Sequence, residues 1–273
     1  MTGGRAGRFL LQSYDYLICV IGAGMFASSF LAWSMFALLI RLLLPARAAR
    51  SLGRSANMYG FRILLGVTSL TRRFHFDLIQ LDALRGDSPL IIAANHPSLW
   101  DVVMIISRIP HVACIMKVEA ANNMFMGGGA RLAGFITNKS THQMIRHAIE
   151  ELKNGSTLLL FPEGTRTVRR PINRLTASIG VIACQAEVPV QTVFIETEAV
   201  FLTKRWPLLK RPILPISYRL RLGKRFPPPT NARLFVSELE QYFIDELGGR
   251  VRDEQPSQET QPAHQCNRLP RPT

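Results

Sequence analysis

The sequence predicts an α/β protein, a mostly parallel or mixed sheet flanked by helices, preceded by an N-terminal helical segment that anchors in a membrane. Two observations carry this. From Phe74 onward short apolar runs alternate with helix-periodic stretches, and ahead of them Leu17 to Ile40 runs 24 residues without a charge. As a helix that run would reach about 36 Å, enough for a hydrocarbon core of about 30 Å.

The 273 residues, 47% of them hydrophobic, allow one sizeable core domain and a short membrane element but not two independent enzymes. Residues 1–45 read as the anchor, 46–73 as a basic linker or helix, 74–249 as the catalytic domain and 250–273 as a disordered tail rich in Pro, Gln and Glu. A cleaved leader is the rival reading of the apolar segment, because Arg5 and Arg8 precede it and Ala46-Arg47-Ala48 faintly resembles a cleavage site, but so long an apolar region is atypical of one. Gly22, Gly24, Ser28 and Ser29 allow a second geometry, two shorter helices dipping into one leaflet. Spanning and half-spanning both stay open here.

Arg41, Arg47, Arg50, Arg54, Arg62, Arg72 and Arg73 follow the apolar segment with no acidic residue before Asp77. The positive-inside bias places the domain on the cytoplasmic side of the inner membrane. The position of these arginines beside the anchor favours lipid headgroups over a merely solvated helix face.

Strands are expected at Phe74–Leu81, Pro89–Asn95, Val112–Met116, Ser156–Phe161 and Val188–Ile195, helices at Leu99–Ser107, Thr141–Lys153, Thr176–Ala186 and Ala232–Leu247. In such sheets reactive groups gather beyond the carboxyl ends of the strands. Two of those ends carry unusual chemistry. Asn95-His96-Pro97-Ser98-Leu99-Trp100-Asp101 ends one strand and opens a helix, so Asp101 can orient His96 Nδ1 while Nε2 faces a ligand as a general base. The bland alternative is a structural histidine with Asp101 easing a helix dipole. Ser98 reads as a helix cap rather than a nucleophile, since no Gly-x-Ser-x-Gly elbow surrounds it. Backbone amides at the start of the following helix are candidate oxyanion donors. Phe161-Pro162-Glu163-Gly164-Thr165-Arg166 ends a second strand, where Gly164 permits close backbone approach, Thr165 offers a hydroxyl and Arg166 a fork suited to phosphate. Glu163 would hold that arginine or a substrate hydroxyl, unless the segment is only a tight turn with a surface ion pair.

Together NHPSLWD and FPEGTR, each behind a strand, resemble the motifs of the glycerolipid acyltransferase family, over roughly Phe74 to Ile195. The resemblance implies transfer of a fatty acyl group from a thioester to a lipid hydroxyl. It makes His96 the base, Asp101 its orienter, and Glu163, Gly164 and Arg166 acceptor-binding residues, with Thr165 in the same motif. The Val188-Pro189-Val190 strand resembles the family's fourth block. Between the two motifs the family commonly carries an arginine on the acceptor phosphate, whereas this chain has Gly134-Phe135-Ile136-Thr137-Asn138-Lys139. Asn138 lacks a bidentate charged contact, leaving Lys139 as a point charge. An altered, even non-phosphate, acceptor is therefore a realistic alternative to lysophosphatidic acid.

The formal charge of +14 calls for negatively charged partners. Ala199 to Ser237 holds nine Lys or Arg (Lys204, Arg205, Lys210, Arg211, Arg219, Arg221, Lys224, Arg225, Arg233) and no acid, mixed with Phe201, Trp206, Leu208 and Leu209. This composition fits membrane lipids and an acyl-CoA or acyl carrier protein donor, against a bland solvated loop and edge strand. A basic nucleic-acid-binding module is a rival that the charge alone allows, but no zinc-finger spacing and no RNP-like aromatic motif supports it, and no nucleic-acid partner is expected. No cofactor or metal is implied beyond the donor thioester. Cys19, Cys114, Cys184 and Cys266 are scattered and form no C-x-x-C pair. A catalytically silent lipid-binding scaffold of the same fold is the rival from another class.

Overall fold

A computed structural model describes residues 5–169, 171–207, 210 and 212–253. The apolar segment forms helix α1, Arg5–Leu43. The break at Gly22 to Ser29 does not occur: Ser28 Oγ donates to Gly24 O at 2.9 Å within a continuous helix. Pro45, which has no N–H to continue a helix, stands at the corner before α2, Ala46–Leu70. The stretch 46–73 is thus largely one helix. The two helices run antiparallel, joined by an Asp15–Arg73 ion pair (2.5 Å), a Phe30–Phe61 stack (5.9 Å) and a Trp33 Nε1 to Asn57 Oδ1 hydrogen bond (3.0 Å).

The strands of the domain that follows are β1 (Phe74–Asp77), β2 (Leu90–Ala94), β3 (Val112–Met116), β4 (Ile136–Thr137), β5 (Thr157–Leu160), β6 (Val190–Glu196) and β7 (Ile216–Phe226). They form one sheet in the order β1-β7-β6-β2-β5-β3-β4. β2 to β6 run parallel, β7 is antiparallel to β6, and β1 is parallel to β7. One edge of the sheet therefore gathers the carboxyl ends of five strands and the amino ends of β1 and β7. The mixed sheet matches expectation. The expected strand Phe74–Leu81 is shorter, because Ile79–Leu84 turns into a 3-10 helix that buries Leu81 and Leu84. β7 was hidden among basic residues: Ile216, Tyr218 and Leu220 face inward while Ser217 and Arg219 are exposed. Nor is it an edge strand.

Every residue of β2 is buried, as a strand covered on both faces requires. Leu90, Ile92 and Ala94 enter one core with α3 (Trp100–Arg108) and the 3-10 helix, and Ile91 and Ala93 enter the other with α6 (Thr141–Lys153), α7 (Ser178–Ala186) and α8 (Ala232–Asp253). Helix α8 continues past the expected Leu247 to Asp253. The rest of the expected tail, and with it Cys266, lies outside the described residues, as do Leu208, Leu209 and Arg211. Two short helices, α4 (Val118–Ala121) and α5 (Gly127–Leu132), lead from β3 to β4.

The helical hairpin is bolted to this domain. Ser34 Oγ donates to Phe125 O at 2.6 Å, and a Cβ at Gly128 would stand 2.4 Å from Ser34 O, so α1 and α5 touch backbone to backbone only because that position is glycine. From α2, Arg54 donates to Ala133 O, Ser156 Oγ and Glu151 (3.0, 2.9 and 2.7 Å) and Arg62 donates to Ser107 O (2.6 Å). Arg50 also pairs with Glu151. Four of the seven arginines that adjoin the anchor (Arg50, Arg54, Arg62, Arg73) thus serve protein contacts rather than headgroups. Glu151 spends its charge on α2 and not on the neighbouring His147 of its own helix.

Burial alone raises the Glu151 carboxyl, but the hydrogen bond and charge of Arg54, with Ser156 and Arg50, hold it below the usual range. An acid depressed in the folded state contributes stability that is present above its unfolded pKa and lost as pH falls through the folded one. Arg54→Ala removes the shortest ion pair of this carboxylate, leaving it Arg50 and Ser156, and should cost about 2 kcal/mol. Thermal unfolding against pH checks both points: the gap between wild type and variant should be full near neutrality and close on acidification, and a gap independent of pH would contradict the assignment.

Candidate active site

The two motifs meet because their strands are neighbours. β2 pairs with β5 in register Ala93↔Leu160, so Asn95-His96 and Phe161-Pro162 leave the sheet side by side. The His96 and Phe161 rings stack with centroids 3.9 Å apart. Asn95 faces the other neighbour, exchanging hydrogen bonds with the backbone of Ile195 in β6 (3.0 and 2.7 Å).

Asp101, in the first turn of α3, is fully buried and receives His96 Nδ1 at 2.8 Å and the Ser98 N–H at 2.8 Å on the same oxygen, Oδ2. Its other oxygen, Oδ1, is buried with no partner among the described residues. Burial pushes this carboxyl above the usual range, opposed by the hydrogen bond and charge of His96 and by the Ser98 N–H. An ionised carboxylate only accepts, so the imidazole carries its proton on Nδ1 and presents Nε2 as an acceptor. The His96 side chain keeps 14% exposure.

Glu163 does something the sequence did not reveal. Oε1 accepts from the His96 N–H (2.9 Å) and the Thr167 hydroxyl (2.6 Å), and Oε2 accepts from the Asn173 N–H (2.9 Å). Thr167 N–H in turn donates to His96 O at 2.7 Å. Burial raises the Glu163 carboxyl against these hydrogen bonds. Both oxygens are spent on the protein, so Glu163 neither holds Arg166 nor faces a substrate; it is a brace between the motifs. Thr167 and Asn173, its partners, lie just beyond the recognisable motif.

Arg166 sends Nη1 to Leu202 O and Thr203 O (2.8 and 3.0 Å), half of its fork being spent on the loop after β6. Nε and Nη2 make no hydrogen bond among the described residues. Gly164 is exposed at φ +66, a backbone setting that favours glycine, and Thr165 sits half-buried beside it. Asn138 Oδ1 accepts from the Val118 N–H at 3.1 Å, capping α4, and Lys139 is exposed without an ion pair among the described residues. Among the described residues, these two make no hydrogen bond or ion pair with His96, Asp101 or Glu163. Trp100 is a packing residue, stacked on Phe74 and Phe76.

The expected oxyanion donors are not available. The amides of Ser98, Leu99, Trp100 and Asp101 are committed to Asp101 Oδ2, Leu202 O, Ser98 Oγ and Ser98 O.

The family model described as Acyltransferase matches residues 75–196, the stretch that holds His96 and Asp101 beyond β2 and the Glu-Gly-Thr-Arg turn after β5. Among the chain's relatives, a 1-acyl-sn-glycerol-3-phosphate acyltransferase of Pseudomonas aeruginosa is 24% identical over 170 residues, 60% of this chain and 64% of the relative. The match therefore spans less than two thirds of that relative's length. The solved structure of the 1-acyl-sn-glycerophosphate (LPA) acyltransferase PlsC from Thermotoga maritima shares the fold, with a TM-score of 0.58 at 23% identity over 89% of this chain and 96% of that one.

Removing the brace should be costly to stability. Glu163→Ala strands three donors and is expected to lose about 3 kcal/mol or more, with protease cleavage opening between residues 163 and 175. Unfolding in denaturant checks it, and a loss below about 1 kcal/mol would remove Glu163 from this role.

Proposed function

We propose that the protein is a membrane-associated O-acyltransferase that moves a fatty acyl group from a thioester, acyl-CoA or acyl carrier protein, onto the hydroxyl of a lyso-lipid. The observation that carries the reading is the 2.8 Å bond between His96 Nδ1 and a fully buried Asp101. The acceptor hydroxyl gives its proton to His96 Nε2 as its oxygen attacks the thioester carbonyl carbon. Asp101 stabilises the imidazolium so formed. The tetrahedral intermediate then expels the thiolate, which takes the proton back from Nε2. Arg166 holds the acceptor's polar head with the part of its fork not used by the loop.

The acceptor named for the Pseudomonas relative, a 1-acylglycerol phosphate, is the first candidate. The capping role of Asn138 favours a second reading, because a side chain spent on Val118 supplies no charge to a phosphate. An acceptor with a zwitterionic or uncharged head then competes.

The charge pattern supports negatively charged partners at the catalytic edge. Towards the far end of β7 the cations are paired, Arg221 with Glu196 and Glu246, Lys224 with Glu238 and Arg225 with Asp87. Lys117, Lys139, Lys204 and Arg205, on segments that leave the strands at the catalytic edge, have no ion pair among the described residues. The apolar α1 supports seating in a membrane: Tyr16, Leu17, Ile21, Met25 and Leu39 are all more than half exposed. Because Asp15 is tied to Arg73 and Ser34 to α5, the helix lies along the domain, which favours insertion in one leaflet over a perpendicular span.

His96→Ala should lower transfer by at least about a hundredfold, measured by mass spectrometry of products from detergent-solubilised protein, thioester donors and a panel of lyso-lipids. Near-normal turnover would sink the mechanism. Arg166→Ala should raise the acceptor KM more than it lowers kcat, and an unchanged acceptor dependence would contradict its assignment. Release from membranes by high salt alone would argue against an inserted α1.

A further inference from the structure

A second tie between the motifs runs through a loop that lies outside both. Three consecutive carbonyls in the loop after β6 receive donors from both: Phe201 O from Ser98 Oγ (3.0 Å), Leu202 O from the Leu99 N–H (3.1 Å) and from Arg166 Nη1 (2.8 Å), and Thr203 O from Arg166 Nη1 again (3.0 Å). Leu202 reaches this alignment at φ +50, in the left-handed region that non-glycine residues rarely adopt. At the root of the array the Tyr218 hydroxyl donates to Ser98 Oγ at 3.2 Å. Both residues are 1% exposed.

The direction of this chain follows from its donors. With Tyr218 donating into Ser98 Oγ, the serine's own proton goes to Phe201 O, while the serine N–H goes to the Asp101 oxygen that orients His96. A buried aspartate oxygen without a partner lies in the same turn, and would compete for the serine proton if the hydroxyl were free to rotate.

We propose that Tyr218 and Ser98 are positioning residues that lock the loop at residues 201–203 across the two motifs and so set the placement of Arg166 relative to the His96–Asp101 pair. This rests on the acyl-transfer reading for its consequence in catalysis, but the lock itself is a matter of hydrogen bonds. The reversed direction of β7 makes it possible, since Tyr218 near its amino end reaches the edge where β2 ends. Misplacement of reacting groups by about 1 Å can cost up to a hundredfold in rate, so a device outside the reacting atoms can matter.

Tyr218→Phe removes one oxygen without changing the ring. Acyl transfer should fall about tenfold to thirtyfold, with kcat lowered and acceptor KM raised together, because base and arginine depend on one loop, while donor KM and Tm stay near wild type. Ser98→Ala should lose as much, Ser98→Thr should retain most activity, and Tyr218→Phe on top of Ser98→Ala should add nothing. Additive losses, unchanged kinetics in Tyr218→Phe, or a Ser98→Thr protein as weak as Ser98→Ala would each overturn the proposal.

An activity-independent readout separates this from the proposed reaction. Hydrogen exchange at the Leu99 amide and across residues 201–206 should speed up at least tenfold in Tyr218→Phe, with exchange in α6 unchanged. A protein that transfers no acyl group yet shows this local release would refute the reaction and keep the lock. Normal transfer with unaltered exchange in the variant would do the reverse.

Discussion

The carboxylate of Glu163 joins the amide of His96 to the turn that follows β5, and most of the site depends on that junction. Parallel pairing of β2 with β5 brings the two strand ends together but says nothing about how the chain behaves beyond the last ladder bond. Glu163 extends the register past the sheet. One oxygen fixes where the His96 backbone leaves β2, the other fixes Asn173, and Thr167 closes the circuit onto the His96 carbonyl. A charge buried to 5% exposure is tolerable only with this number of donors around it.

From there the imidazole has little freedom. Its backbone is held by Glu163 and Thr167, one face lies on Phe161, and its Nδ1 is bound to an aspartate with no access to water. The ring is thereby fixed in place by the protein alone. Arg166 is similarly prearranged, although by backbone carbonyls and not by an acid. A carboxylate partner would neutralise the guanidinium, whereas carbonyl oxygens orient it and leave its charge uncompensated.

Much of this was legible in the sequence because parallel strands buried on both faces read as continuous apolar runs, and reactive residues follow them directly. β2, β3, β5 and the helix Thr141–Lys153 fall where the periodicity puts them, and His96 and Asp101 meet as their spacing required. What stayed hidden has physical causes. β7 alternates correctly, but its outward residues are arginines and lysines that pair with distant acids, so the run read as a charged loop. The role of Glu163 depends on donors from main chain, which leave no mark in side-chain identity. The arginines beside the anchor looked like lipid ligands because Glu151, the carboxylate that buries one of them, lies 97 positions away.

The placement of β7 also has a consequence for the order in which the protein becomes complete during synthesis. β1 has a single strand neighbour, β7, which leaves the ribosome some 140 residues later (Phe74 pairs with Ile216). The loop that bridges His96 and Arg166 is equally late. The apolar helix, by contrast, precedes every strand of the sheet. A chain still being translated therefore has its apolar helix complete while its first strand is unpaired and its two motifs are unlocked. The two motifs reach their final register only with the last strand.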